Sequence, residues 1–200
     1  MDDDTSYPLV LPFKGSRSYL HGSDIVPALL ALSGPVDKPS FQFHRMATRP
    51  LCARRVGESE LAALRRDEKL FVLMSYRDGG GASRLIAVVE SGLAQDIARV
   101  PFDEEAIVAG ARIEGQQICH DDPGTASFIE RTIALHKALL NRVAGPTAWV
   151  FSRLDLAQGP VNPARIAIAF SRSMGGQVYK SDLQGDGQAL GTIYFSRSAT

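Results

Sequence analysis

Cysteine is scarce. The 200 residues hold two, Cys52 and Cys119, with no metal-type spacing between them. So sparse a usage excludes a disulfide scaffold and predicts a reducing compartment. Excess charge of either sign is missing too, since 22 basic residues face 22 acidic ones. That balance argues against nucleic acid or an anionic membrane as partner, because phosphate binding draws on clustered positive charge. The nearest basic cluster, Arg45, Arg49, Arg54 and Arg55, reads as a solvated strand and loop. No run reaches the roughly 18 apolar residues that span a bilayer. The opening Met-Asp-Asp-Asp-Thr-Ser is acidic with no apolar core, so no signal peptide is expected and a cytoplasmic location is. No His, Cys and carboxylate set has ligand spacing, and no metal is expected.

What is present is one long, clean helix signal over residues 124–143. On a helical wheel Phe128, Ile129, Ile133, Leu135, Leu139, Leu140 and Val143 fall within an arc of about 160°. Glu130, Arg131, Lys137, Asn141 and Arg142 fall on the other side. An arc so wide suits a helix wrapped by a sheet. Asp122 can cap it, Pro123 fits its first position, and Ala144-Gly145-Pro146 stops it.

Taken in order, Leu9 to Phe13 reads as an edge strand. Ser23 or Asp24 can cap a short helix from Ile25 to Leu32, with Pro27 tolerable in its first turn. Residues 40–46 alternate as a strand, with His44 on the face away from Phe41 and Phe43. Residues 50–56 are a weaker strand, 58–67 a surface helix, and 70–76 a strong strand. Asp78-Gly79-Gly80-Gly81 is a hairpin turn leading back through 84–90. Residues 92–110 are irregular, and 111–119 read as a strand. Strands are expected at 147–156, 165–172, 177–183 and 188–196, the last three as a meander whose breaks carry turn chemistry.

The halves echo each other. Each runs strand, glycine, polar loop with a histidine, helix, Gly-Pro, aromatic strand and hairpin. Ala-Leu-Leu recurs at 28–30 and 138–140, and Gly-Pro at 34–35 and 145–146. At an offset of 108, Phe41, Phe43 and Arg45 align with Trp149, Phe151 and Arg153. Duplication is the favoured reading.

This layout resembles the hot-dog fold, and two copies resemble the double hot-dog arrangement of thioesterase, dehydratase and hydratase relatives. The resemblance covers residues 9–196. It implies an α+β, tandem (double) hot-dog chain, each half a helix wrapped by an antiparallel sheet. The halves would span 9–92 and 111–197, joined by 93–110. It implies an acyl-thioester substrate on CoA or acyl carrier protein, with chemistry near a helix N-terminus at the interface of the halves. CoA or phosphopantetheine would enter only as part of the substrate, with no other cofactor. A monomer or a homodimer is compatible. The chain departs from the family's motifs. The dehydratase pattern His-X3-Gly-X4-Pro is absent around His21, and so is the hydratase pattern Asp-X-Asn-Pro-X-His.

The candidate catalytic groups are His120 with Asp121 and Asp122, just before the long helix, and His21 with Asp24 before the short one. A histidine there can move a proton near neutral pH, a carboxylate can orient it, and helix N–H groups can hold an oxyanion. The plainer reading makes each aspartate a cap and His120 a surface loop residue. His136, in the middle of the apolar arc, reads as a hydrogen-bonded core histidine or as a group lining an acyl tunnel. Arg45 and Arg153 are solvated strand arginines or phosphate grips. Thioester hydrolysis is the favoured activity. A non-catalytic acyl- or polyketide-binding or scaffold protein of the same fold, or a dehydratase-like enzyme, is the alternative.

Overall fold

The computed structural model describes residues 5–92, 96–121 and 124–198. The chain forms two compact units, Met1–Phe102 and Asp103–Thr200. Both are α+β with antiparallel sheets. No helix among the described residues is long and apolar enough to cross a membrane.

The first unit runs β1 (Tyr7–Leu9), β2 (Phe13–Lys14), α1 (Gly22–Ser33), β3 (Val36–Phe43), β4 (Leu51–Arg55), α2 (Glu58–Arg66), β5 (Val72–Arg77), β6 (Ser83–Glu90) and β7 (Arg99–Val100). Its antiparallel sheet has the order β1-β4-β6-β5-β3. The run of apolar residues in β5 and β6 is explained by burial on both faces. Leu73 and Ala87 stand opposite each other and pack with Leu61 and Leu64 of α2 and with Leu70. Their neighbours Val72, Met74, Ile86 and Val88 alternate to the other face and are equally buried. Gly34 ends α1 in the left-handed region at φ 71°.

The second unit runs α3 (Glu104–Val108), β8 (Arg112–Glu114), β9 (Gln117–His120), α4 (Phe128–Ala144), β10 (Trp149–Leu156), β11 (Gln158–Gly159), β12 (Ile166–Met174), β13 (Val178–Gly185) and β14 (Gln188–Arg197). The sheet order is β10-β14-β13-β12-β9-β8, antiparallel throughout. The expected meander is therefore present in β12, β13 and β14. Residues 111–119, read as one strand, are instead the hairpin of β8 and β9.

The long helix begins four residues later than expected. Ser127 is its N-cap, accepting from the Glu130 N–H at 3.2 Å while the Glu130 carboxylate accepts from the Ser127 N–H at 2.7 Å. This reciprocal box satisfies two donors that the first turn would otherwise leave open. The caps expected at Asp122 and Pro123 lie outside the described residues. Arg131, assigned to the polar side, is fully buried; its guanidinium donates to the carbonyls of Pro163 and Ala164, the latter at 2.8 Å. The helix is thus covered around more of its circumference than its apolar arc alone.

Within 96–110 the chain forms one strand and one short helix. β7 pairs in parallel with β2 of the first unit, and α3 lies against α4 in the second, tied by Lys137 to Glu104 at 3.0 Å.

Candidate functional site at the start of α1

The described residues bring the most polar chemistry together at the N-terminus of α1. Lys14 ends β2, and Gly15 turns the chain at φ 56° beside the Phe102 carbonyl. A side chain at Gly15 would press on that oxygen while holding a backbone conformation that glycine tolerates best. The chain returns through Leu20, which bridges to Phe13 and donates to the Ala47 carbonyl at 2.8 Å. His21 follows in extended conformation as N-cap, with no side-chain capping bond.

This return sets four polar side chains around one point. Lys14 Nζ donates to Ser23 Oγ at 2.7 Å and lies 2.7 Å from Asp24 Oδ1. His21 Nδ1 is 2.8 Å from the same Ser23 oxygen. Lys14, His21 and Ser23 are all buried. The rings of Tyr19 and Phe102 stand 6.2 and 5.7 Å from the imidazole, and the ammonium sits 5.1 Å from the centre of Phe102. An ammonium is costly to bury unless it is paired, and here a carboxylate, a hydroxyl and an aromatic face compensate it. Asp24 also lies in the first helical turn, where the N–H groups and the dipole favour a negative charge.

Of the residues singled out in the sequence, His21 and Asp24 thus belong to one cluster, but Asp24 engages Lys14, and the hydroxyl of Ser23 meets His21 Nδ1. Lys14 and Ser23 were missed. The Lys14 to Asp24 pairing spans a loop and leaves no local pattern, whereas Ser23 was legible only as a possible cap.

His120 is no surface loop residue. It ends β9, is buried, and sits opposite Ile166 of β12. Gly110 approaches so closely that a Cβ there would lie 3.4 Å from His120 Nε2. Asp121 is exposed and held by two arginines, Arg112 at 2.5 Å and Arg165 at 3.0 Å. The hydrogen bond from Arg112 holds its carboxyl below the usual carboxylate range, which makes it a poor base. Asp122 lies outside the described residues.

His136 is in the core of the second unit. Its Nε2 bonds Ser181 Oγ at 2.8 Å, its ring meets Phe195 edge-on at 4.8 Å, and burial pushes its pKa down to about 3. It has no exposed surface. Arg45 is not a strand residue, because β3 ends at Phe43. It lies in the following loop, over Phe71, and donates to the Glu68 carbonyl. Arg153 lies in β10, stacks over Tyr194 and is bound by both oxygens of Asp155 at 2.8 and 2.9 Å. The two arginines are therefore not equivalent.

No protein-family model and no curated protein matches the chain. Among solved structures it is similar to the tesB protein of Mycobacterium avium subspecies paratuberculosis (12% identity, TM-score 0.48, 93% of this chain and 89% of that one). It is also similar to the dehydratase domain of RzxB from Pseudomonas fluorescens (14%, 0.45, 92% and 92%). A third is an acyl-ACP thioesterase from Bacteroides thetaiotaomicron (9%, 0.45, 98% and 99%). Thioesterases and dehydratase domains are among the solved structures similar to this chain.

Proposed function

We propose that the chain is a double hot-dog protein that acts on acyl thioesters, with its working site at the N-terminus of α1 and hydrolysis as the reaction. The observation that carries this is the buried cluster of Lys14, His21, Ser23 and Asp24, because nothing in packing alone asks for an ammonium and an imidazole under a helix start. The helix N–H groups and the imidazole can hold the charge that develops on a thioester oxygen when water attacks. The acyl group would arrive on CoA or on an acyl carrier protein.

Hydrolysis is favoured over dehydration by the dehydratase spacing itself. Gly22 and Pro27 stand five residues apart in α1 as that pattern requires, but its histidine position falls on Ser18, which is exposed. A binding module of the same fold is the second reading. It is favoured by the commitment of both described candidate carboxylates, Asp24 and Asp121, to cationic partners.

Thiol release from a panel of acyl-CoAs of different chain length tests the proposal on wild type, His21→Ala and His120→Ala. A loss of roughly 10²-fold or more in His21→Ala with the fold intact is expected, in line with the usual worth of one positioned donor to a developing oxyanion. His120→Ala should stay within a few-fold of wild type. Release that survives in His21→Ala removes α1 from the chemistry. Saturable acyl-CoA binding with no release from any chain length supports the binding module.

A further inference from the structure

The cluster at α1 also determines which nitrogen of His21 carries the proton. We propose that Lys14, acting through Ser23, positions His21 in the tautomer protonated on Nε2, so that this imidazole offers a hydrogen-bond donor at Nε2 and no base there. The inference rests on the reading of α1 as the working site for its functional meaning. Its test needs no turnover.

The argument is a count of donors and acceptors. An ammonium has three donors and no acceptor, so in the 2.7 Å contact with Lys14 the Ser23 oxygen must accept. Asp24 Oδ1, 2.7 Å from the same nitrogen, accepts a second of the ammonium's donors. Ser23 is 1% exposed, so bulk solvent does not reach its hydroxyl. That hydroxyl has one proton. Among the described residues, the polar side-chain atoms that meet it are Lys14 Nζ, which cannot accept, and His21 Nδ1 at 2.8 Å, which can. The proton therefore points at Nδ1, and Nδ1 must be unprotonated. The opposite arrangement sends two N–H donors into one oxygen and leaves a buried hydroxyl proton with no acceptor, which native interiors avoid. A neutral imidazole with Nδ1 bare carries its hydrogen on Nε2. Because Lys14 draws electron density from the Ser23 oxygen, the hydroxyl becomes a better donor to Nδ1, and the three groups act in one direction.

For a thioester this assigns His21 the task of holding a carbonyl oxygen from Nε2, beside the helix N–H groups. The water must then be activated by a group other than His21 Nε2. Lys14 and Ser23 are positioning residues, since they act through the imidazole.

Long-range proton–nitrogen NMR on protein labelled in its four histidines reads the tautomer directly, with the His21 signals identified by their disappearance in His21→Gln. The expected wild-type spectrum has a pyridine-type Nδ1 and a pyrrole-type Nε2 for His21. Ser23→Ala should lose this single-tautomer signature and move both nitrogens towards averaged positions. Lys14→Met should shift Nδ1 in the same sense. A pyrrole-type Nδ1 in wild type overturns the proposal, as does a tautomer unchanged in Ser23→Ala. Should the variants fail to fold, the wild-type spectrum decides by itself. An Nε2-protonated His21 in a protein that releases no thiol from any acyl-CoA upholds the tautomer and removes hydrolysis.

Discussion

The two units begin their main helices in opposite ways. In α4 the N-terminus is closed for stability, with Ser127 and Glu130 each satisfying the other's backbone. In α1 the N-cap is His21, which makes no capping bond, and the polar side chains around it bond one another instead. A helix start that forgoes its cap and buries a lysine gives up stability that Ser, Asp or Asn at the cap would supply. The difference separates a helix end closed by a capping box from one whose polar side chains bond one another.

The sheets diverge as well. After its helix, the first unit orders its strands β3-β5-β6-β4, and the second orders its own β10-β14-β13-β12. In the second unit only residues 175–177 join β12 to β13, and so short a link forces the two to be hairpin neighbours. In the first, α2 fills the passage from β4 to β5, which is long enough to carry the chain past the sheet and let the β5–β6 hairpin settle between β3 and β4. The resemblance of the halves is thus concentrated in the helix and the aromatic strand after it.

The comparison can be pressed experimentally. The largest effect is expected from Gly191→Ala, because a Cβ there would overlap the Asp155 carbonyl at a backbone φ of 153°. A loss above about 4 kcal/mol is expected, seen as lost amide protection in β10 and β14 while β3 to β6 keep theirs.

Acid should divide the units next. His136 has an ordinary pKa of 6.5, lowered to about 3 by burial. Between those values the unfolded chain binds a proton that the folded chain refuses. This contribution to stability is therefore complete above pH 6.5 and falls as the pH drops towards 3. The slope approaches about 1.4 kcal/mol per pH unit for one proton. Urea titrations across pH should show that slope in the difference between wild type and His136→Leu, and an absent difference would place the imidazole in contact with water.

The two helix starts give the third test. Ser127→Ala should cost about 1 kcal/mol in urea unfolding, from the lost cap. His21→Asn should be nearly neutral, within about 0.5 kcal/mol, because asparagine restores a cap as the Ser23 contact is lost, while thiol release collapses. A large loss of stability in His21→Asn would make the α1 cluster a folding element. The smallest effect is expected at Arg153→Ala. This half-exposed ion pair with Asp155 should contribute less than about 1 kcal/mol to thermal stability, with no change in thiol release.

Periodicity carried the strands, the two main helices and the α+β class, because spacing of apolar residues is a local record of which face meets a core. It also carried His136 into the core, since its wheel position is the centre of the apolar arc. Arg131 escaped it: a wheel sorts by residue type, and a guanidinium can be buried once a distant loop presents carbonyls to it. The true start of α4 was legible, as Ser127-X-X-Glu130 is a capping-box spacing, but Asp122-Pro123 offered a competing signal about five residues upstream. Arg45 was misplaced because alternation continues in the sequence beyond the point where pairing ends: the last pair of β3 is Phe43 with Val72.

The sequence by itself determined the order of elements, the burial of their apolar faces and the presence of two histidines before two helices. Each of these is written within one turn of helix or a few residues of strand. Only the tertiary structure decided what surrounds each histidine. Lys14 reaches Ser23 and Asp24 because β2 and the loop after it fold back on the start of α1, and a carboxylate ten residues away becomes the partner of a buried ammonium. His120 went the other way, paired into a sheet, while its neighbour Asp121 was neutralised by Arg112 and by Arg165 from far along the chain. Charge partners are chosen by distance through space, and that distance is set by the fold.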